Sequence, residues 1–279
     1  MIRDIAGRQN HSVKLARKLQ KRKHRRERGL LVGEGMDLLR AACEARADVR
    51  DVLVRRDLVR ELPKEIVARA GADQIAGAPA VDIGVCDAET LDYASSLGGA
   101  ADVVFMCAEP GWSLGDVPLD DGFTLFLDGV GDPGNVGTIV RSALAFGGKA
   151  VVCAPGTADP YGPKALRAGM GAQFLLPVVT EVAAADLLAR ITSLVGRGQG
   201  QPEIWVADPY EGDDVRGVEA TTGAIVVLGA ERSGPGSEWD GARRLTIPQE
   251  RFDSLNVAMA GTILAYELSR GLHGRPSGK

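Results

Sequence analysis

The stretch FTLFLDGVGDPGNVGTIVRSALAFGG, residues 123–148, carries a dense set of residues able to do chemistry. Gly129, Gly131 and Gly134 stand in G-x-G-x-x-G spacing after a predicted strand and before a predicted helix. Such spacing lets backbone approach a pyrophosphate at a helix N-terminus, which is the chemistry of a dinucleotide cradle. The next predicted strand, KAVVCAPG, should then end in an acid for a ribose hydroxyl, about 20 residues on. It ends instead in Ala154-Pro155-Gly156, and Asp132-Pro133 interrupts the turn. Both departures weigh against a nicotinamide-dependent Rossmann oxidoreductase. The helix itself offers another set. Val136, Ile139, Val140, Ala143 and Leu144 form its buried stripe and Gly147-Gly148 ends it. Thr138, Arg141 and Ser142 are left on the other face, with Asn135 at the N-cap position. Asn135 can simply cap and Arg141 can form a surface ion pair, or both can face a substrate.

A second set lies at the N-terminus. The 279-residue chain has a formal net charge of −4, which taken whole argues against a nucleic-acid partner. Residues 1–28, however, hold 11 Lys and Arg against 2 Asp and Glu, a net of +9 that leaves −13 for residues 29–279. Val13, Leu15, Ala16 and Leu19 recur at near-helical spacing among Lys14, Arg17, Lys18, Lys21, Arg22, Lys23, Arg25, Arg26 and Arg28. This reads as a basic arm with one thin apolar stripe. It is a solvated charged helix, or a surface for a phosphate backbone that binds without sequence preference and weakens with salt, or, less well supported because no bulky Trp or Phe face accompanies the charge, a contact for an anionic membrane surface.

Positioning these sets requires alternating elements. GLLVGE, VRDVLVRRD and VVFMCAE read as strands, and the stretches around Leu38-Leu39, LPKEIVARAG and DAETLDYASSLGG as helices, the last with Asp87 or Thr90 near its N-cap. PGWSLGDVPLDDG has the composition of an exposed connector. Downstream, FTLFLD, AVVCA, LLPVV, EIWVAD, AIVVLGA and RLTIP alternate with helices, the long final one beginning near Ser254. Apolar strands of this kind imply a mostly parallel sheet covered on both faces. The expected organisation is a small α/β/α domain over 1–108, a linker over 109–121 and a second α/β domain over 122–279. Cys43, Cys86, Cys107 and Cys153 are too dispersed for a metal site, so free thiols and no metal are expected. No apolar run is long enough for a membrane span, and the N-terminus lacks the apolar region of a secretory signal, so a cytoplasmic protein is expected.

Three segments together carry a family resemblance. DPGNVGTIVRSA at 132–143, LGAERSGPG at 228–236 and IPQERFDSLNVAMAGTILAYE at 247–267 resemble the ordered motifs of the SpoU (TrmH-like) branch of the SPOUT methyltransferases, and ADPYGPKALRAGMGA at 158–172 is similar to that family's spacer. The N-terminal part is similar, in order and size of elements, to the small RNA-binding domain akin to ribosomal protein L30e. The resemblance implies a trefoil-knotted parallel-sheet domain that uses S-adenosylmethionine to methylate ribose 2′-hydroxyls of RNA. It also implies a homodimer with its sites at the subunit interface and a large-subunit (23S) ribosomal RNA substrate. The family includes enzymes conferring resistance to thiostrepton or avilamycin. Carried over, the functional residues fall on Asn135, Arg141, Glu231, Ser254 and Asn256, and the cofactor cradle on Leu228, Gly229, Ile247, Pro248, Leu255 and Ala258. Gln249 replaces a common Met, the stretch between Ile247 and Ser254 is one residue short and lacks its usual Gly, and Gly169 stands where Ser or Ala is frequent.

These residues suit the reaction. Backbone groups at 228–229, 247–248 and 254–256 can meet adenine and ribose while apolar side chains enclose the ring. Arg141, a planar guanidinium with five donors and no acceptor, is a poor base and a good clamp for phosphate or a developing alkoxide. Glu231 can orient an Arg or the substrate. Lys164 and Arg167 are either a solvated face or phosphate contacts, which with Lys14, Arg17, Lys18, Lys21, Arg22, Arg25 and Arg26 complete the candidate RNA surface. The alternative from another class is a catalytically silent RNA-binding protein on the same fold; the intact set of five motif residues speaks against it.

Overall fold

The computed structural model describes residues 1–70, 74–75, 78–99, 101–198, 200–218, 223–250 and 254–272. The chain divides into two compact units, Met1–Gly111 with Tyr161–Phe174, and Trp112–Pro160 with Leu175–Lys279. In the first, β1 (Ile2–Asp4), α1 (His11–Leu19), α2 (Arg22–Arg28), β2 (Leu30–Glu34), α3 (Met36–Glu44) and β3 (Val49–Arg55) lead to α4 (Lys64–Arg69). A two-residue ladder of β4 (Gln74–Ile75) and β5 (Ala78–Pro79), then β6 (Asp82–Cys86), α5 (Ala88–Ala94) and β7 (Val103–Ala108) follow. The main sheet runs β1-β6-β3-β7-β2, with β7 antiparallel to both its neighbours and the other pairs parallel. Asp87 caps α5 as expected, its side chain accepting the N–H of Thr90.

The basic segment is part of this unit rather than an arm. Residues 2–4 pair with β6 as an edge strand, and α1 sinks Val13, Ala16 and Leu19 completely into a core cluster with Val32, Leu53, Leu91 and Met106. The thin apolar stripe is what seats the helix, and the cations are what its outer face carries. Arg25 does not join them. It is buried, and its Nη1 donates to the carbonyls of Leu19 at 2.8 Å and Gln20 at 3.1 Å, satisfying acceptors that the end of α1 leaves open.

At the end of β2, the carboxylate of Glu34 has no exposed surface and is saturated with donors. It accepts from Gln20 Nε2 at 2.7 Å, the Ser96 N–H at 2.8 Å, Ser96 Oγ at 2.9 Å and Arg167 Nη1 at 2.6 Å. A buried charge is tolerated only when its acceptor positions are filled in this way. Arg167 lies on a short helix, Pro163–Gly169, and so Tyr161–Phe174 packs with the N-terminal strands although it falls inside the second unit in sequence.

The second unit contains β8 (Phe123–Asp128), α6 (Pro133–Ala145), β9 (Ala150–Cys153), β10 (Val178–Val179), α8 (Ala184–Val195) and β11 (Glu203–Ala207). It closes with β12 (Asp213–Asp214), β13 (Ala224–Gly229), β14 (Arg243–Thr246) and α9 (Val257–Leu272); α7 is the helix Pro163–Gly169. Seven strands, all parallel, lie in the order β10-β9-β8-β13-β11-β14-β12. One face, with Phe126, Val152, Val206, Ile225 and Val227, packs on Leu187, Ile191 and Leu194 of α8. On the other, α6 and α9 contact β8, with α6 also on β9 and α9 on β13. Coverage on both sides explains why these strands read as unbroken apolar runs.

Three expectations shift. The connector at 109–121 is only partly exposed, because Val117 and Leu119 are buried in the second unit's core. LLPVV shortens to Val178–Val179, since Pro177 has no N–H for the ladder and contributes only its carbonyl, to the N–H of Val151. The last helix starts at Val257 rather than near Ser254.

The role of the basic segment is testable through Leu19. Leu19→Ala removes a fully buried side chain and is expected to destabilise the first unit by about 2–5 kcal/mol, read as a lower urea midpoint. A free arm would show no change.

Candidate functional site

In open parallel sheets, ligands sit at the carboxyl edge where strand order reverses. Here β8 has its sequence successor β9 on one side and β13 on the other, so the loops after β8 and β13 open on the same edge. The loop after β8 is held by a buried hydroxyl. Thr157 Oγ donates to the Leu127 carbonyl at 2.8 Å and accepts the Gly129 N–H at 3.1 Å. Asp128 anchors the segment beyond β13, its Oδ2 accepting from the Gly236 N–H at 2.8 Å and Trp239 Nε1 at 3.0 Å.

The start of α6 corrects the sequence reading of the cap. Asp132, not Asn135, is the N-cap, and its Oδ1 accepts the N–H groups of Gly134 at 2.7 Å and Asn135 at 3.1 Å, with Pro133 in the first helical position. The donors a pyrophosphate would use are thus occupied by a carboxylate of the same sign, which disposes of the dinucleotide reading on structural grounds. It also frees the Asn135 side chain.

That side chain joins two other motifs. Asn135 Nδ2 donates to Glu231 Oε1 at 2.9 Å, and Asn256 Nδ2 donates to Asn135 Oδ1 at 3.3 Å. Glu231 Oε2 accepts the Gly131 N–H at 3.5 Å, and Asn256 Oδ1 accepts the N–H groups of Ala258 at 3.0 Å and Met259 at 3.3 Å, capping α9. Burial pushes the Glu231 carboxyl up, but hydrogen bonds from its own backbone, Asn135 and Gly131 outweigh it and hold the group below its ordinary value. It is a carboxylate at neutral pH, an acceptor and a weak base.

Beside this relay lies a cavity of about 600 Å³ at the ends of β11, β13 and β14, within the range of small-molecule sites. Leu228, Gly229, Ile247 and Leu255 line it, as do Glu231, Ser254 and Asn256. Gly229 is required by the fold: a Cβ there would stand 2.3 Å from the Pro235 nitrogen, where the chain turns back after the Ala230–Gly234 bridge. Gln249 also lines the cavity, and its Oε1 is buried without a hydrogen-bond partner among the described residues. An orphaned acceptor in a cavity lined by both apolar and polar residues is what a ligand carrying amino or hydroxyl donors would satisfy.

Other candidates fall elsewhere. Pro248 and Ala258 do not line the cavity, although Ala258 is buried just behind Asn256. Arg141 is exposed on α6, with no hydrogen bond or ion pair among the described residues. Ser142 is buried, not on the outer face, its Oγ 2.7 Å from Thr262 Oγ1 on α9. Lys164 and Arg167 belong to the first unit, where Arg167 is held by Glu34. Sequence reasoning missed Ala207, Asp208, Pro209 and Tyr210 along the cavity; their signal was the polar turn directly after the apolar strand EIWVA. Among the described residues no His, Cys, Asp and Glu group is disposed to hold a metal ion, and no helix is long and apolar enough to cross a membrane.

Comparisons with known proteins bear on the same segments. The family described as SpoU rRNA Methylase family matches residues 122–266, and one described as MRM3-like substrate binding domain matches residues 10–85. The chain is 29% identical over 260 residues to the 23S rRNA (uridine(2479)-2'-O)-methyltransferase of Streptomyces viridochromogenes, covering 90% of this chain and 86% of that protein. It is 26% identical over 270 residues to the 23S rRNA (guanosine(2553)-2'-O)-methyltransferase RlmP of Bacillus subtilis, covering 96% and 99%. Its fold is similar to the crystal structure of the SpoU methyltransferase AviRb from Streptomyces viridochromogenes in complex with the cofactor AdoMet. That likeness has a TM-score of 0.81 at 25% identity and covers 97% of this chain and 100% of the other.

The relay has a pH signature. Because the folded Glu231 carboxyl sits below its ordinary value, its stabilising contribution is complete above the unfolded pKa of about 4.3 and is lost as pH falls through the folded value. The thermal midpoint of Glu231→Gln should therefore lie closest to wild type in acid and fall below it toward pH 7, by the equivalent of about 1 kcal/mol or less. A constant offset at every pH would exclude an ionised Glu231 from the relay.

Proposed function

The chain belongs to the SpoU rRNA methylase family, and from that premise we propose that it transfers a methyl group from S-adenosylmethionine to a ribose 2′-hydroxyl of 23S ribosomal RNA. The observation that carries this reading is the hydrogen-bonded relay of Asn135, Glu231 and Asn256 from three separate motifs, beside a cavity walled by Leu228, Ile247 and Leu255. When bound, the cofactor supplies a methyl group on a cationic sulfonium. Leu228, Gly229, Ile247 and Leu255 would hold it, with Gln249 Oε1 accepting one of its donors.

The chain's own residues then have distinct tasks. The apolar part of the lining, Leu228, Ile247 and Leu255, would shield the reacting atoms from water, which favours a step in which opposite charges on oxygen and sulfur are cancelled. Arg141 holds a target phosphate or the oxygen that develops negative charge, because a guanidinium presents a planar fork of donors and no acceptor. Glu231 orients rather than transfers protons, its low pKa making it a poor base.

In this proposal residues 1–108 form an RNA-reading domain that serves recognition, 109–121 a linker, and residues 122–279 the methyl-transfer domain, from which 161–174 packs with the first unit. Lys14, Arg17, Lys18, Lys21 and Arg26 are exposed on α1, α2 and the turn between them, which supports a phosphate-facing surface; Arg25 and Arg167 instead hold the domain together. A homodimer is supported by Met259, Ile263 and Tyr266, exposed by 63%, 36% and 47% at successive turns of α9. The deep knot that the family resemblance implies belongs to the same proposal. Any role in drug resistance would follow from which nucleotide is modified.

Incubation with tritiated S-adenosylmethionine and 23S rRNA, followed by mapping of reverse-transcription stops at low deoxynucleotide concentration, should give label and one discrete stop. Label-free RNA would overturn the reading. Arg141→Ala is expected to lower kcat by about 10²-fold or more while calorimetric affinity for S-adenosylmethionine stays within about twofold; full transfer by this variant would remove Arg141 from the chemistry.

A further inference from the structure

Tyr210 is the most exposed large apolar side chain among the described residues, with 74% of its surface in solvent, and it lines the same cavity as Leu228 and Glu231. Single exposed apolar residues are ordinary on protein surfaces. This one is set apart by how firmly its turn is held. Asp208 Oδ1 accepts the N–H groups of Tyr210 at 2.9 Å and Glu211 at 3.1 Å, closing an Asx turn. Arg244 Nη1 donates to Asp208 Oδ2 at 2.8 Å, and the Asp208 N–H donates to the Leu245 carbonyl at 3.0 Å. Burial alone would raise the Asp208 carboxyl, and these donors outweigh it to leave the group below its ordinary value. At the far end, Gly212 has φ +131°, and a Cβ there would stand 2.5 Å from the Arg244 carbonyl, so the backbone lies directly against β14. The backbone that carries the ring is therefore held in place before a ligand arrives, which limits the ordering cost of capture to the side chain's own rotamers.

Two flat groups take part in the reaction, the adenine of the cofactor and a base of the RNA. The enclosed part of the cavity, with Leu228, Ile247, Leu255 and the orphaned acceptor of Gln249, suits the first. A mostly solvated ring at the mouth suits the second, because single-stranded RNA is read by splaying bases onto aromatic side chains. Aromatic residues make up only 5% of this chain, so such a platform has few other places to come from. We propose that Tyr210 is the stacking platform for the base of the methylated nucleotide, which sets its ribose at the cavity mouth. The proposal rests on the methyl-transfer reading above. Stacking tolerates any base, so Tyr210 governs placement and not base identity.

The test compares Tyr210→Ala, Tyr210→Phe and Tyr210→Trp in the full-length protein, with 23S rRNA transcript as substrate. Tyr210→Ala should lower kcat/KM for RNA by about 10-fold to 100-fold, mainly through KM, while the Phe and Trp variants stay within about threefold of wild type because both keep a π-face. Calorimetric affinity for S-adenosylmethionine should be the same in all four proteins. A transcript made abasic at the mapped nucleotide should bring wild type down to the level of Tyr210→Ala and leave that variant unchanged. Equal RNA kinetics for wild type and Tyr210→Ala would overturn the proposal, and so would a matching loss of cofactor affinity, which would make the ring a wall of the cofactor site. Either result leaves the methyl-transfer reading standing. Absence of transfer by wild type would remove both.

Discussion

A carboxylate can only accept hydrogen bonds, and the arrangement of the second unit follows from that one-way character at Glu231. With its oxygens facing the Asn135 amide, Nδ2 of Asn135 must point toward it and Oδ1 away. Oδ1 then presents an acceptor to Asn256, whose own Nδ2 must turn to meet it, leaving Asn256 Oδ1 for the open N–H groups at the start of α9. One charge thereby sets the orientation of two amides and the origin of a helix. Loops that follow β8, β13 and β14 have no sequence proximity; the relay, together with the bonds from Gly236 and Trp239 to Asp128, holds them in a common register. It also explains why hydrogen bonding prevails over burial in setting the state of Glu231: a neutral carboxyl would present a donor to a donor.

The first unit solves a related problem in a drier place. Glu34 has no exposed side-chain surface, so each acceptor position must be filled from within, and the fourth partner, Arg167, comes from residues far along the chain. Removing Arg167 would leave a buried charge short of a donor, which is costlier than never burying the pair. The interaction is one of those that hold Tyr161–Phe174 with the first unit, beside the close approach of Gly171 to Leu38 and Ala41.

Legibility in the sequence followed periodicity. Strands covered on both faces, such as Phe123–Asp128 and Ala224–Gly229, announced themselves as apolar runs, and α1 through Val13, Ala16 and Leu19. The chemistry of the first motif was visible as residue types but not as roles. Asp132 and Asn135 both favour helix starts, and only the rigid φ of Pro133 at the first helical position, which makes its predecessor the cap, separates them. The strands β1 and β6 were not anticipated, because Ile2–Asp4 has a single apolar residue and Asp82–Cys86 has its apolar run interrupted by Gly84. Thr157, Asp128 and Asp208 were not singled out, since each acts through partners distant in sequence or through backbone groups that every residue possesses.

Charge distribution shows how one segment meets two demands. A net of +9 over 28 residues repels itself, and as a free arm it would gain nothing from folding until phosphates arrived. Placed on α1 and α2, the same charges are spread around a helix whose inner face is apolar, so burial of Val13, Ala16 and Leu19 offsets the repulsion in the absence of any ligand. Arg25, turned inward onto the carbonyls of Leu19 and Gln20, gives a positive charge to the negative end of the α1 dipole. The cations that stay outside are carried on packed helices, and in the proposed reading such a preorganised row would lose less entropy on meeting a phosphate backbone than a flexible tail of equal charge.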